Sequence, residues 1–415
     1  MCDKYLKAKK VLEDFNQEHL LCFYDELNDL QKEALLNQIL SIDFAQILAL
    51  YEHSKKNDEY VNVDISPIPH VEKNLFSDDE VRFFSDIGDN ELKSGHFAVV
   101  TMAGGQGSRL GYKGPKGTYP LNLKPKKKSL FQIMCEDLKR ANSRYGITIP
   151  WYIMTSDEND AKTKSFFVAN NYFDYPESAI KFFVQDKLPI ISVDGKLLLQ
   201  EPYLIREAAN GNGNVFGSMY RAGILEDMAK KDIRWISFGG IDNVLLKNAD
   251  AFFLGLAIDG GFQIASKSIF KKEPLENTAV YCLKNGRPGI LDYDRIDLPL
   301  SESKDSNGLY LYREANMLSH LMSFEAVTKV ASCSLPYHRA YKKNSFVNFE
   351  GVKVVPDRPN TFKFESFIFD AFSYFDDMLL LRVDPDEEFA PIKDFTGIYN
   401  PDAAIQKFEK VWGSN

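Results

Sequence analysis

The stretch His96-Phe97-Ala98-Val99-Val100-Thr101-Met102-Ala103-Gly104-Gly105-Gln106-Gly107-Ser108-Arg109-Leu110-Gly111, followed by Gly114-Pro115-Lys116-Gly117, governs the reading of the whole chain. Its first seven residues are strand-like, and the glycines after them predict a sharp turn. Glycine has no Cβ, so such a turn can take positive φ and bring backbone N–H groups close to an anion, while Arg109 and Lys116 add positive charge. The combination points to a polyphosphate. Two familiar phosphate motifs fail on these letters. A Walker A loop needs its lysine directly after the second glycine of Gly-x-x-x-x-Gly, whereas Lys116 stands between Pro115 and Gly117. A dinucleotide fingerprint needs a glycine where Leu110 stands. An isolated Gly-x-Gly would read as a plain turn from strand to helix; the added glycines, Arg109 and Pro115-Lys116-Gly117 argue for a ligand.

Working outward, strands are predicted over His96–Met102, Trp151–Thr155, Ile180–Gln185, Ile233–Phe238 and Phe262–Lys267. Helical patterns intervene near Ser129–Asn142, Asp160–Ala169 and Tyr220–Lys230. This alternation predicts an α/β fold with a mixed, mostly parallel sheet and helices on both faces. Ligands of such sheets collect beyond the carboxyl ends of the strands, which is where the glycine turn, Thr155-Ser156, Gln185 and Asp242 fall. Asp194-Gly195 reads as a tight hairpin. Apolar residues at helical spacing from Leu6 to about His53 predict a small N-terminal helical arm, and Val61 to Val71, with Pro67 and Pro69, a connector. The expected organisation is an arm and connector over 1–75, a catalytic domain over 76–340 and a completing segment over 341–415.

With 415 residues, 44% hydrophobic and 26% charged, the chain is long enough for a large core, and its net charge of −9 disfavours nucleic-acid or anionic-membrane binding. The main cationic run, Lys124-Pro125-Lys126-Lys127-Lys128, reads either as a solvated loop or as phosphate-facing. Five scattered cysteines without a Cys-x-x-Cys pair indicate neither a disulfide framework nor a zinc site, and six dispersed histidines show no metal-ligand spacing. No apolar run reaches the roughly 18 residues of a membrane span. A cytoplasmic protein, monomeric or weakly homo-oligomeric, is expected.

The glycine turn resembles the nucleotide-binding signature of the eukaryotic-type UDP-N-acetylhexosamine pyrophosphorylases and related UDP-sugar pyrophosphorylases. Further blocks carry the resemblance: Lys128-Ser129-Leu130-Phe131-Gln132, Trp151-Tyr152-Ile153-Met154-Thr155-Ser156, Phe182-Phe183-Val184-Gln185, Gly211-Asn212-Gly213, Ile241-Asp242-Asn243 and Phe362-Lys363-Phe364-Glu365. It implies a Rossmann-like nucleotide-diphospho-sugar transferase fold (GT-A-like) and a uridylyltransferase that makes UDP-N-acetylglucosamine and pyrophosphate from UTP and N-acetylglucosamine 1-phosphate. Glucose, galactose or N-acetylgalactosamine 1-phosphate are the alternative substrates, and a non-catalytic nucleotide-sugar-binding regulator is the alternative of another class.

Such a transfer is an in-line attack on the α-phosphorus of UTP, so catalysis is mainly positioning and charge neutralisation. Arg109 and Lys116 are the candidates for the UTP phosphates, with an exposed charged loop as the competing reading. Lys363 resembles a family lysine that reaches the phosphates from the far side; a lysine snorkelling over an aromatic surface is its alternative. Asp242, after a strand, is the best ligand for Mg²⁺ (or Mn²⁺), which takes one or two carboxylates plus phosphate oxygens; capping a turn is its alternative. The Gln185 amide can both donate and accept at a base edge, and by resemblance it reads the uracil with the backbone near Gly104 and Gly105, alongside Gly107. The same resemblance places Gly211, Asn212, Asp292 and Asn316 around nucleotide and sugar. Asp292 stands where a longer glutamate is expected, Glu314-Ala315 before Asn316 replaces a more glycine-like approach, and Asn214 replaces a glycine.

Overall fold

The structure is a computed structural model that describes residues 2–55, 63–271, 278–292 and 298–413. Residues 56–62, which include the first two residues of the expected connector, Val61 and Asn62, lie outside the described residues. By residue contacts the chain forms two compact units. One comprises Met1–Val61, Asp186–Asn214 and Leu335–Ile368, the other Asn62–Gln185, Val215–Ser334 and Phe369–Asn415.

The larger unit is built on a mixed sheet. We label its strands β1 (Phe97–Met102), β2 (Trp151–Thr155), β3 (Ile180–Val184), β4 (Trp235–Gly240), β5 (Ile264–Phe270), β6 (Val280–Lys284), β7 (Arg287–Leu291), β8 (Glu314–Ser323) and β9 (Leu379–Arg382). The sheet runs from the short strand Val71–Glu72 through β9, β5, β8, β4, β1 and β2 to β3. Strands β4, β1, β2 and β3 are mutually parallel, with Trp235 opposite Phe97, Val99 opposite Trp151 and Trp151 opposite Ile180. Along that path β8 departs from parallel order, antiparallel to β4 and to β5, and off the path β6 pairs antiparallel with β7 and with β8. β1 and β2 are buried along their whole length, the expected state of central parallel strands covered on both faces.

Helix Leu130–Tyr145 begins where Ser129 Oγ accepts from the Gln132 N–H and ends at Gly146, in the left-handed region. Its buried Phe131, Met134 and Leu138 join the core with Trp151 and Phe167. Helix Asp160–Ala169 lies as the sequence predicts. The single helix expected near Tyr220–Lys230 is two helices, Val215–Arg221 and Ile224–Lys230, because Gly223 takes φ +68° between them and a left-handed residue ends helical propagation.

In the smaller unit, helices Cys2–Asp14, Asp29–Ser41 and Phe44–Lys55 share a core with Ile191, Leu197, Leu199, Ile205 and Phe364. Buried Gln17 ties the arm to the Asp194-Gly195 turn, donating to Gly195 O at 2.9 Å and accepting from the Leu197 N–H. In the same unit strand Thr361–Glu365 pairs with His338–Lys342 on one side and Ile191–Ser192 on the other.

Candidate active site

The glycine turn leaves the carboxyl end of β1 and is held by its neighbours through its carbonyls. Buried Asn159 donates to Ala103 O (2.9 Å) and Gly105 O (3.3 Å), and the Ser156 hydroxyl donates to Gly104 O at 2.9 Å. The turn closes on itself where the Gly107 N–H meets Gly114 O and the Lys116 N–H meets Gly105 O. With the carbonyls engaged, the N–H groups of Gly104 and Gly105 make no hydrogen bond among the described residues. Buried N–H groups are almost always paired, so two open amides in a half-exposed turn are what an anion or a base edge would occupy. A Cβ at Gly104 would stand 2.8 Å from Gln185 Oε1, whereas one at Gly105 would meet nothing within 4 Å. At Gly104 that contact is with the movable end of a side chain and the next atoms lie at 3.6 Å, so packing alone demands neither glycine; a close-lying ligand would demand both. Asn159 is a site residue the sequence reading missed; its signal was a strand end, Thr155-Ser156, followed by an asparagine able to bond backbone.

Lys116 Nζ lies 3.5 Å from Asp242 Oδ2, with side chains 14% and 25% exposed. Asp242 follows β4, so β1 and β4, adjacent and parallel, deliver the pair to one edge of the sheet. Arg109, expected to share this role, is 73% exposed and lies 3.7 Å from Asp394. The exposed-loop reading fits the Arg109 side chain in this structure, and it does not fit Lys116. Lys124, Lys126 and Lys127 are exposed and Lys128 pairs with Glu136 at 2.6 Å, so that run is a solvated loop.

A further cation joins them. The segment carrying Lys393 is stitched to the Asp242 loop: Ile392 N–H donates to Asp242 O, Ala390 N–H to Asn243 Oδ1, and the Asn243 amide to Glu388 O. On its other side the Phe395 N–H donates to Arg109 O. Burial pulls the Lys393 ammonium below its usual range; Asp242 opposes this, while Lys116 and Arg109 reinforce it. Three cations against Asp242 and Asp394 leave a surplus of positive charge suited to phosphate. The segment is anchored from below by Glu388, 1% exposed, which takes Lys267 Nζ at 2.5 Å, Lys247 Nζ at 3.1 Å and Lys73 Nζ at 3.2 Å. Lys393 gave no signal in the sequence, being a lone lysine in coil.

Asn316 lies on β8, beside a bulge in its pairing with β5. Its Oδ1 accepts from the buried Tyr281 hydroxyl at 3.1 Å and from the Leu318 N–H at 2.8 Å, so the amide nitrogen is the end left for a ligand. Asp292 follows β7 directly and is half-buried.

The other predicted residues belong to the smaller unit. Gly211 takes φ +92°, and a Cβ there would fall 2.1 Å from Ser366 O; Gly213 is equally hard against Phe367, and its N–H donates to Ser366 O. Asn212 Oδ1 accepts from the Ile368 N–H at 3.0 Å. Lys363, whose alternative reading was a snorkelling chain, is ion-paired with Glu365 at 2.5 Å, both about a quarter exposed.

Open amides at the carboxyl end of parallel strands, beside a lysine–aspartate pair and surplus positive charge, define a nucleotide-phosphate-binding α/β protein. The family model for UTP–glucose-1-phosphate uridylyltransferase matches residues 43–400, and the chain belongs to that family. It is 32% identical over 414 residues to UDP-N-acetylglucosamine pyrophosphorylase of Saccharomyces cerevisiae, covering 95% of this chain and 87% of the yeast protein. It is 33% identical over 410 residues to UDP-N-acetylglucosamine diphosphorylase 2 of Arabidopsis thaliana, covering 93% and 79%. Among solved structures it is similar to the uridine diphosphate N-acetylglucosamine pyrophosphorylase of Trypanosoma brucei in complex with inhibitor, with a TM-score of 0.83, 26% identity and coverage of 99% and 85%.

Proposed function

We propose that this protein is a uridylyltransferase that joins UTP and N-acetylglucosamine 1-phosphate into UDP-N-acetylglucosamine with release of pyrophosphate. The observation that carries the reading is the Lys116–Asp242 pair at the mouth of a glycine turn whose N–H groups are open; the named relatives supply the substrates. A phosphate oxygen of the sugar ester attacks the α-phosphorus of UTP. The bond from that phosphorus to the oxygen bridging to the β-phosphate breaks, and its electron pair leaves with pyrophosphate. The nucleophile is already an anion, so no general base is required. The work left for the protein is to hold two anions in line and neutralise their crowding, for which a single well-placed donor contributes about 10²–10³-fold.

In this reading Lys116 and Lys393 hold the triphosphate tail and Arg109 reaches it from solvent, while Lys363 keeps the phosphate role that the family resemblance implies for it. The open amides of Gly104 and Gly105, with Gln185, read the uracil, while Asn212, Asp292 and Asn316 serve the sugar. Mg²⁺ (or Mn²⁺) is the proposed ion, held by Asp242. Asp242 would supply a carboxylate, and phosphate oxygens and water would complete the shell of such an ion. When bound it would offset charge on those oxygens.

The family model's own description names glucose 1-phosphate, which favours a second reading with the same chemistry and an unacetylated sugar. Pyrophosphate release measured across a panel of sugar 1-phosphates, with and without Mg²⁺, tests both. Preference for the N-acetylated ester supports the first; equal or faster turnover of glucose 1-phosphate replaces it with the second. Tight UDP-sugar binding without any release would make the protein a binding regulator.

A further inference from the structure

The hydrogen bonds at Asn316 carry an inference that rests on the sugar-binding role proposed above and deepens it. A carboxamide oxygen has two lone-pair directions, and here both are filled, by the Tyr281 hydroxyl at 3.1 Å and the Leu318 N–H at 2.8 Å. The Asn316 nitrogen makes no hydrogen bond among the described residues, and the side chain is only partly buried. Flipping the amide would set its NH₂ against the Leu318 N–H, donor against donor, and would leave that partly buried contact unsatisfied.

The donors themselves are held firmly. Tyr281 is 1% exposed on β6, its ring stacked on Phe372 at a centroid distance of 6.3 Å. Leu318 takes φ +57°, an uncommon conformation for a bulky residue and one that persists where surroundings over-determine it. It lies in the bulge between the Ser266 and Ser268 pairings of β8 with β5. Its Cδ2 fills the space next to Gly240: a Cβ on that glycine would lie 2.7 Å from it and 2.7 Å from Asp242 Oδ1. The bulge that orients Asn316 thus abuts the strand end that carries the phosphate-side aspartate, all within one unit.

We propose that Tyr281 is a positioning residue that locks the Asn316 carboxamide as a donor, so that its NH₂ selects an oxygen acceptor on the sugar 1-phosphate, either a ring hydroxyl or the acetamido carbonyl. Asn212 shows the same polarity in the other unit, its oxygen taken by the Ile368 N–H.

Tyr281→Phe keeps the ring and deletes the hydroxyl. The KM for the sugar 1-phosphate is expected to rise on the order of tenfold, the worth of an oriented hydrogen bond to substrate, with the KM for UTP held within about twofold. Analogues lacking one hydroxyl, or the acetyl group, identify the acceptor: one of them is penalised about tenfold by the wild type and under about threefold by the variant. Asn316→Asp, isosteric but without the NH₂, is expected to show the same lost discrimination, which keeps the test open if the first variant folds poorly. Unchanged sugar KM with the analogue penalty intact in Tyr281→Phe overturns the proposal, as does a parallel rise of both KM values with a lowered Tm. Calorimetric binding of UDP-sugar supplies the comparison without turnover. A wild type that neither turns over nor binds any sugar ester refutes the proposed function itself, an outcome distinct from variants that match an active wild type.

Discussion

Two glycine-rich turns sit in this chain, and they use the same residue for opposite ends. At Gly104-Gly105 the carbonyls are tied down by Asn159 and Ser156 while the N–H groups stay open, and the space beside Gly105 is empty. At Gly211–Gly213 the glycines are consumed by the fold: their Cα atoms lie hard against the backbone of Ser366 and Phe367, and the Gly213 N–H is spent on Ser366 O. Glycine in a ligand turn and glycine in a packing turn are indistinguishable as letters. They differ in what a methyl group would hit.

That difference can be broken by substitution. The largest expected effect is at the ligand turn's own lysine: Lys116→Ala should lower kcat/KM by about 10²–10³-fold, read as pyrophosphate release. Its Tm should move by no more than about 2 °C, because a partly exposed ion pair contributes little to stability. Gly211→Ala should destabilise the protein by about 2–4 kcal/mol, from the left-handed conformation together with overlap on Ser366, and a urea midpoint would show it. A neutral result there would erase the distinction between the turns. Asp242→Asn should raise the Mg²⁺ concentration for half-maximal rate about tenfold, a shift worth about 1.4 kcal/mol. Gly105→Ala should be the mildest: unaltered Tm, since nothing lies within 4 Å of the new methyl, and a KM for UTP raised about threefold to tenfold by crowding of the nucleotide.

The parts of the fold legible in sequence are those in which local pattern and final environment agree. The apolar runs at Val99-Val100 and Ile153-Met154 became buried parallel strands. Arg109 and Lys116 looked alike as letters, yet one is exposed and the other faces Asp242, because only the second is closed back onto the turn by its own N–H. Lys393 was illegible because its place depends on Asn243, 150 positions earlier, bonding the segment around Ala390. The company kept by the N-terminal helices was equally hidden: residues 186–214 and 335–368 return to them through contacts that no local window contains.

The Asn243 stitch, anchored on buried Glu388, makes the lysine at 393 and the aspartate at 242 travel as one piece. A lesion deep in the sheet, such as Glu388→Ala, would leave the buried Lys267 ammonium with Asp250 as its remaining carboxylate and slacken both partners together. Inactivating changes are therefore expected far beneath the pocket floor, at positions no substrate ever reaches.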